Sequence, residues 1–177
     1  MRQRFTFLIA MVLWAFALGT APASFGAECG TPAGLQRQLA NRYPGDTIVR
    51  LSDLDEHSRA LFVKDHGSRC PGLVRVDFYR DGNLAWALAI IPPKPTRGEA
   101  KLVVAQKRAS AWALTLLDTA KASVPVVWSL GPGKYQDVYG EKSIKATSPV
   151  IVWGEYEAWI ILYAWKGESA AKIWLVD

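Results

Sequence analysis

The chain has 177 residues, half of them hydrophobic and 21% charged, with a formal net charge of +5. That composition excludes an intrinsically disordered chain, and the length supports one buried core rather than two ordinary domains. Its lysines and arginines are interspersed with acids rather than clustered, which excludes a nucleic-acid footprint, so no nucleic-acid partner is expected.

Arg2 and Arg4 precede an uncharged apolar run from Phe5 to Leu18, followed by Ala21-Pro22-Ala23 with the small-x-small pattern of a cleavage site. Residues 1–23 therefore read as a secretory signal peptide, with cleavage falling anywhere up to residue 27, and residues 28–177 as a single domain. The apolar run is shorter than the roughly 20 residues of a membrane span, so no stable span is expected once the leader is removed. Glu28 stands before Cys29 where a lipoprotein would carry a small residue. The expected location is periplasmic or secreted. In such an oxidising compartment, Cys29 and Cys70 read as a disulfide rather than a metal site or a nucleophile. A bridge closing a loop of this length stabilises by roughly 3–4 kcal/mol in the chain-entropy model. It would tie the mature N-terminus to the start of a central hairpin.

Thr31-Pro32 opens a first helix, in which Leu35, Leu39 and Tyr43 recur at four-residue spacing before Pro44-Gly45 stops it. After an extended link, Ser52 is expected to cap a second helix with Asp55 reaching back, and Leu54, Leu61 and Phe62 mark its buried stripe to near Lys64. From Leu73 the period changes to two. The stretch 73–91 reads as a hairpin turning at Arg80-Asp81-Gly82, which would pair Phe78 with Leu84 and Val76 with Trp86. Val74, Val76, Phe78, Leu84, Trp86, Leu88 and Ile90 would then share one face.

After the stiff Pro92-Pro93-Lys94-Pro95 connection come strand expectations at Lys101 to Gln106, Trp112 to Leu117, Val124 to Leu130, Val150 to Trp153, Ala158 to Trp165 and Ala170 to Val176. Short turns between strands favour pairing of sequence neighbours. The expected fold is therefore α+β: two short N-terminal helices packed on a curved antiparallel meander sheet of about 7–8 strands. The small side chains of Ala85, Ala87 and Ala89 would form the face that receives the helices.

The segment Asp77-Phe78-Tyr79-Arg80-Asp81-Gly82-Asn83-Leu84-Ala85 resembles the calcium-loop hairpin of FG-GAP and VCBS-type β-propeller repeats, over a single copy. The resemblance places Asp77 and Asp81 at the first and third ligand positions, with Tyr79 where Asn or Asp is usual and Ala85 in place of a later Asp. Calcium takes six to eight oxygens, so what the resemblance implies is the shape of a hairpin; no metal and no cofactor is expected.

No G-x-S-x-G, H-E-x-x-H or Cys-His signature is present. His57 sits among acids on a helix and His66 at a helix exit, where attraction to the helix dipole accounts for it. The carboxylates Asp53, Asp55 and Glu56, and the pair Glu155 and Glu157, fall at helix starts and turns. Of eight tryptophans only Trp14 belongs to the leader. Trp159, Ile161, Tyr163 and Trp165 alternate onto one side of a strand, and could stack on sugar rings or a partner protein. The alternate side (Ile160, Leu162, Ala164) is apolar too, which fits a strand buried on both faces.

Residues 131–149 form a long polar segment with a short strand near Tyr135 to Tyr139, and such segments are often functional. Lys134, Tyr135, Asp137, Tyr139, Glu141 and Lys142 are its candidate binding residues, and no catalytic residue is assigned. The resulting expectation is a non-enzymatic module that binds an unidentified protein partner or envelope polymer. A hydrolase of envelope polysaccharide or peptide using Asp or Glu, and a purely structural envelope component, are the alternatives.

Overall fold

The structure, a computed structural model, describes residues 29–93, 98–121 and 123–176. The expected leader (1–23) and the middle of the proline-rich connection (94–97) lie outside the described residues. Within them the chain is α+β, and every strand pair is antiparallel.

Helix α1 (Ala33–Arg42) opens after Pro32, and helix α2 (Glu56–His66) is capped by Asp55, whose side chain accepts from Ser58 N. The cap is thus Asp55 and not Ser52, which lies in a single 3-10 turn (Leu51–Asp53) ahead of it. Strands β1 (Thr47–Ile48), β2 (Leu73–Val76), β3 (Ala85–Ile91), β4 (Glu99–Arg108) and β5 (Ala111–Lys121) make one sheet. In it β1 and β2 lie end to end along β3. Val49 N donates to Ala89 O, Ala89 N to Gly72 O, and Gly72 N to Val49 O, all at 3.0 Å. A Cβ on Gly72 would come within 2.6 Å of Val49 N and O, so only glycine lets these backbones close.

Pro125, which has no N–H to continue a ladder, precedes the second sheet. It has the order β11-β10-β9-β6, from β6 (Val126–Leu130), β9 (Val150–Glu155), β10 (Trp159–Trp165) and β11 (Ala170–Val176). Between them, β7 (Gly133–Gln136) and β8 (Ser143–Ala146) pair as a separate two-stranded ribbon. The strands therefore divide into two packed sheets and a ribbon, where the sequence reading expected one curved meander of about 7–8 strands.

The reason is that both faces of β3 and of β10 are apolar and each needs cover. Ala87, Ala89, Leu102 and Val104 of the first sheet meet Ile151, Trp153, Ile161 and Tyr163 of the second in one central core. On the outer face of the first sheet, Leu35 of α1 packs with Leu88, Ile90 and Val103. On the outer face of the second, Ile144 and Ala146 of the ribbon cover Val152, Leu162 and Ile173. Ala85, Ala87 and Ala89 consequently receive a sheet and the buried Phe62 of α2, while α1 lies on the opposite side.

The central hairpin also departs from its expected register. Val76 pairs with Ala85 and Arg75 with Trp86, so Val76 and Trp86 project to opposite faces. Gly82 does take a positive φ of 78°, as does Arg80 at 60°. The connection nevertheless runs from Asp77 to Leu84, because Phe78 leaves the ladder. Its fully buried ring packs against Tyr79 and Trp165, with centroids 5.3 and 5.7 Å away. A shift of one residue sends each side chain of a strand to the other face, and here it puts Trp86, Leu88 and Ile90 under α1.

Candidate functional site

Two sheets stacked face to face have two pairs of edges. On one side β2 and β6 adjoin, and Val127 N donates to Pro71 O at 2.7 Å. On the other side β5 faces β11, and there the sandwich stays open. A groove of about 410 Å³ runs along this edge, lined by Asp118, Thr119 and Lys121 of β5 and by Trp153, Trp159, Lys172 and Trp174 of the second sheet.

The tryptophans reach the groove by strand pairing: Ile161 is opposite both Trp153 and Trp174, which sets these indoles on the inner face. Trp153 and Trp159 meet edge to face at 4.9 Å, and Trp159 and Trp174 at 6.5 Å. Trp159 and Trp174 are half-buried, whereas Trp153 is 1% exposed and its indole N–H has no hydrogen-bond partner among the described residues. A buried donor left unpaired costs about 1–3 kcal/mol.

Asp118 spans the opening. Its Oδ2 accepts from Tyr163 Oη at 2.6 Å and from Lys172 Nζ at 2.8 Å, joining the first sheet to the second. Burial alone would raise its carboxyl, but the hydrogen bonds from Lys172 and Tyr163 outweigh that and hold it below the ordinary carboxylate range. The Tyr163 phenol is pushed well above its ordinary range, first by burial and then by the carboxylate it donates to. The phenol is a donor and the carboxylate an acceptor over the whole neutral range.

The residues expected to bind in 131–149 separate into two groups. Asp137 is buried and structural: its N donates to Lys142 O, its Oδ1 accepts from Lys142 N, and its O accepts from Gly140 N, which closes the ribbon tip. Tyr135 packs under the ribbon and its hydroxyl donates to Gly131 O. Lys134, Glu141 and Lys142 are exposed, and so is Tyr139, at 60%. Val138 N donates to Trp174 O at 2.8 Å, which fastens the tip to the same strand that supplies Trp174 to the groove.

Other sequence candidates are not among the residues that line the groove. His57 Nε2 meets Glu157 Oε2 at 2.8 Å on the surface, Asp53 accepts from Arg50 N, and Glu155 accepts from Ser123 Oγ. His66 packs against Phe62 and Trp128 with its ring tilted to both, centroids 4.8 and 5.5 Å away. In the hairpin with the calcium-loop resemblance, Asp81 accepts from Asn83 N and Gln106 Nε2, while Asp77 Oδ1 is buried without a hydrogen-bond partner among the described residues. Among the described residues no group of three or more His, Cys, Asp or Glu could hold a metal ion. The expected bridge between Cys29 and Cys70 is present.

Sequence reasoning found Trp159 through the alternation of β10 but missed Asp118, Lys172, Trp153 and Trp174. The observed connection is 156–158, with Glu155 paired to Trp159, and that places Trp153 across from Ile161. No helix among the described residues is long and apolar enough to cross a membrane. No protein-family model, curated protein or solved structure matches the chain, so the reading of this groove rests on its own geometry.

Proposed function

We propose that the protein is a secreted or periplasmic, non-enzymatic binding module that holds a saccharide stretch of an envelope polymer in the tryptophan groove. Sugar rings present C–H faces that pack on indoles, and hydroxyls that bond to carboxylates, ammonium groups and indole N–H donors. The groove offers the rings of Trp159 and Trp174 with the Asp118 and Lys172 head groups beside them. The observation that carries the reading is this pairing of two half-buried indoles with a carboxylate and an ammonium group at one open edge.

The leader-like N-terminus and the Cys29–Cys70 bridge support action outside the cytoplasm. Asp118 is the one carboxylate among the lining residues, and a glycosidase flanks the scissile bond with two. This favours holding over cleaving. The ribbon tip with Tyr139, Glu141 and Lys142 serves as a second contact along the same edge.

The test is titration of the protein with soluble peptidoglycan and polysaccharide fragments, followed by tryptophan fluorescence. Trp159→Ala and Trp174→Ala should each weaken binding about tenfold, as expected for one lost stacking ring. Tyr139→Ala should weaken it less. Binding unchanged in both tryptophan variants removes the groove from the contact surface; loss confined to Tyr139→Ala moves the site to the ribbon.

A further inference from the structure

A second groove, of about 810 Å³, lies on the outer face of the first sheet, between the start of α1 and the ends of β3, β4 and β5. Its lining differs in kind from the tryptophan groove. Arg75 and Lys107 both line it, and among the described residues no carboxylate does. Helix α1 brings no acid in its first turn either. Among the described residues neither cation is paired with a carboxylate; the Arg75 guanidinium rests 5.1 Å over the Trp86 ring instead. Such a cation keeps its hydrogen-bonding edge free for an anion.

Most of the rest of the lining is apolar, with Gln38 and Ser110 as its uncharged polar residues. Trp86 and Trp112 are half-buried, Leu84 is 50% exposed, and Gln38 adds an amide from α1. The pairing Lys107 opposite Trp112, with Arg75 opposite Trp86, alternates cation and indole across the floor. A ligand complementary to this surface carries an acid group on a ring that can lie against an indole. An extended lipid tail would require an uninterrupted apolar wall, which the two cations break.

We infer that this groove binds an acidic saccharide unit, its carboxylate held by Arg75 and Lys107 and its ring lying against Trp112. The inference stands on charge complementarity in this groove alone, and is independent of whether the tryptophan groove at the sandwich edge is occupied.

The experiment titrates the full protein with a trimer of galacturonic acid, its methyl-esterified neutral counterpart, and a glutamate-rich peptide of equal charge. The acidic trimer should bind, and the esterified one at least about tenfold more weakly. Arg75→Gln and Lys107→Gln should each weaken the trimer about fivefold, and raising the salt from about 0.05 to 0.5 M should weaken it in the unaltered protein. Trp112→Ala should weaken the trimer about tenfold, which places it in this groove and not the other. Equal binding of the ester, insensitivity to both cation substitutions, or no binding of the trimer overturns the assignment. Binding of the peptide as tight as the trimer overturns the saccharide in favour of a protein partner.

Discussion

Replacing Asp118 by alanine tests whether one carboxylate clasps the open edge of the sandwich. The substitution removes two bonds of unequal weight. Lys172 is half exposed, its side chain at 51% of full accessibility, so screening leaves that bond at under about 1 kcal/mol. Tyr163 is 2% exposed, and losing its acceptor strands a buried hydroxyl at a cost of about 1–3 kcal/mol. The expected loss is therefore about 2–3 kcal/mol, read from urea unfolding by tryptophan fluorescence. In a Tyr163→Phe background no hydroxyl is left to strand, and Asp118→Ala should cost under about 1 kcal/mol. The pH dependence has two signs. The carboxyl is depressed on folding, so its stabilisation is present above the unfolded value of 3.8 and is lost as pH falls through the folded value below it. The phenol is raised on folding, so its contribution is present below the unfolded value of 10.0 and is lost as pH rises beyond it. Tyr163→Phe should flatten the alkaline limb and shrink the acid limb, because one of the hydrogen bonds that hold the carboxyl low goes with the hydroxyl while that from Lys172 stays. An equal loss from Asp118→Ala in both backgrounds would refute the clasp.

Two other outcomes follow from packing and burial. Gly154→Ala places a Cβ 2.3 Å from Trp159 O and 2.8 Å from Ile160 Cα, both backbone atoms that cannot swing away. It should destabilise the β9–β10 hairpin by about 2–3 kcal/mol in thermal melts and disturb the Trp153–Trp159 contact. Burial between Phe62 and Trp128 pushes the His66 imidazole below its ordinary 6.5. Folding thus disfavours its protonation, and stability should fall as pH drops from 6.5 towards the folded value, a limb that His66→Gln removes in urea titrations run across that range.

What was legible in the sequence was whatever depends on periodicity and punctuation. The helix containing Leu35 and Leu39, the strands on either side of 154–157 and 166–169, and the Cys29–Cys70 pairing all follow from local rules. Which surfaces would meet was not local. The two apolar faces of β3 announced that each needed cover, yet only tertiary packing decides that one receives α1 and the other a second sheet. The 131–149 segment was read as a polar loop because Gly, Pro and charge outnumber its few apolar residues. Ile144 and Ala146 nonetheless suffice to seat β8 on the second sheet. The hairpin register failed for a related reason, since the Asp81-Gly82 turn signal is weaker than the gain from burying Phe78.

The groove at the sandwich edge was hidden by one unpaired residue. In β5, Val103 pairs with Leu116 and the adjacent Leu102 with Asp118, leaving Leu117 as a bulge. Strict alternation from Trp112 and Leu114, which lie on the outer face, would put Asp118 outside with them. The bulge turns it inward, to Tyr163 and Lys172. Deleting Leu117 distinguishes the two descriptions. If the residue is a bulge, Leu116 and Asp118 become ordinary neighbours opposite Val103 and Leu102, and every later side chain keeps its face. The cost is then the partial burial of one leucine, about 1–2 kcal/mol, and the Tyr163 phenol still resists ionisation in an absorbance titration. If β5 alternated strictly, the deletion would invert 118–121, expose Asp118, and bring the phenol back towards its ordinary value. Retention of the raised phenol in the deletion variant is the expected result, and it would establish that a local irregularity, more than any residue in the apolar pattern, aims this carboxylate into the groove.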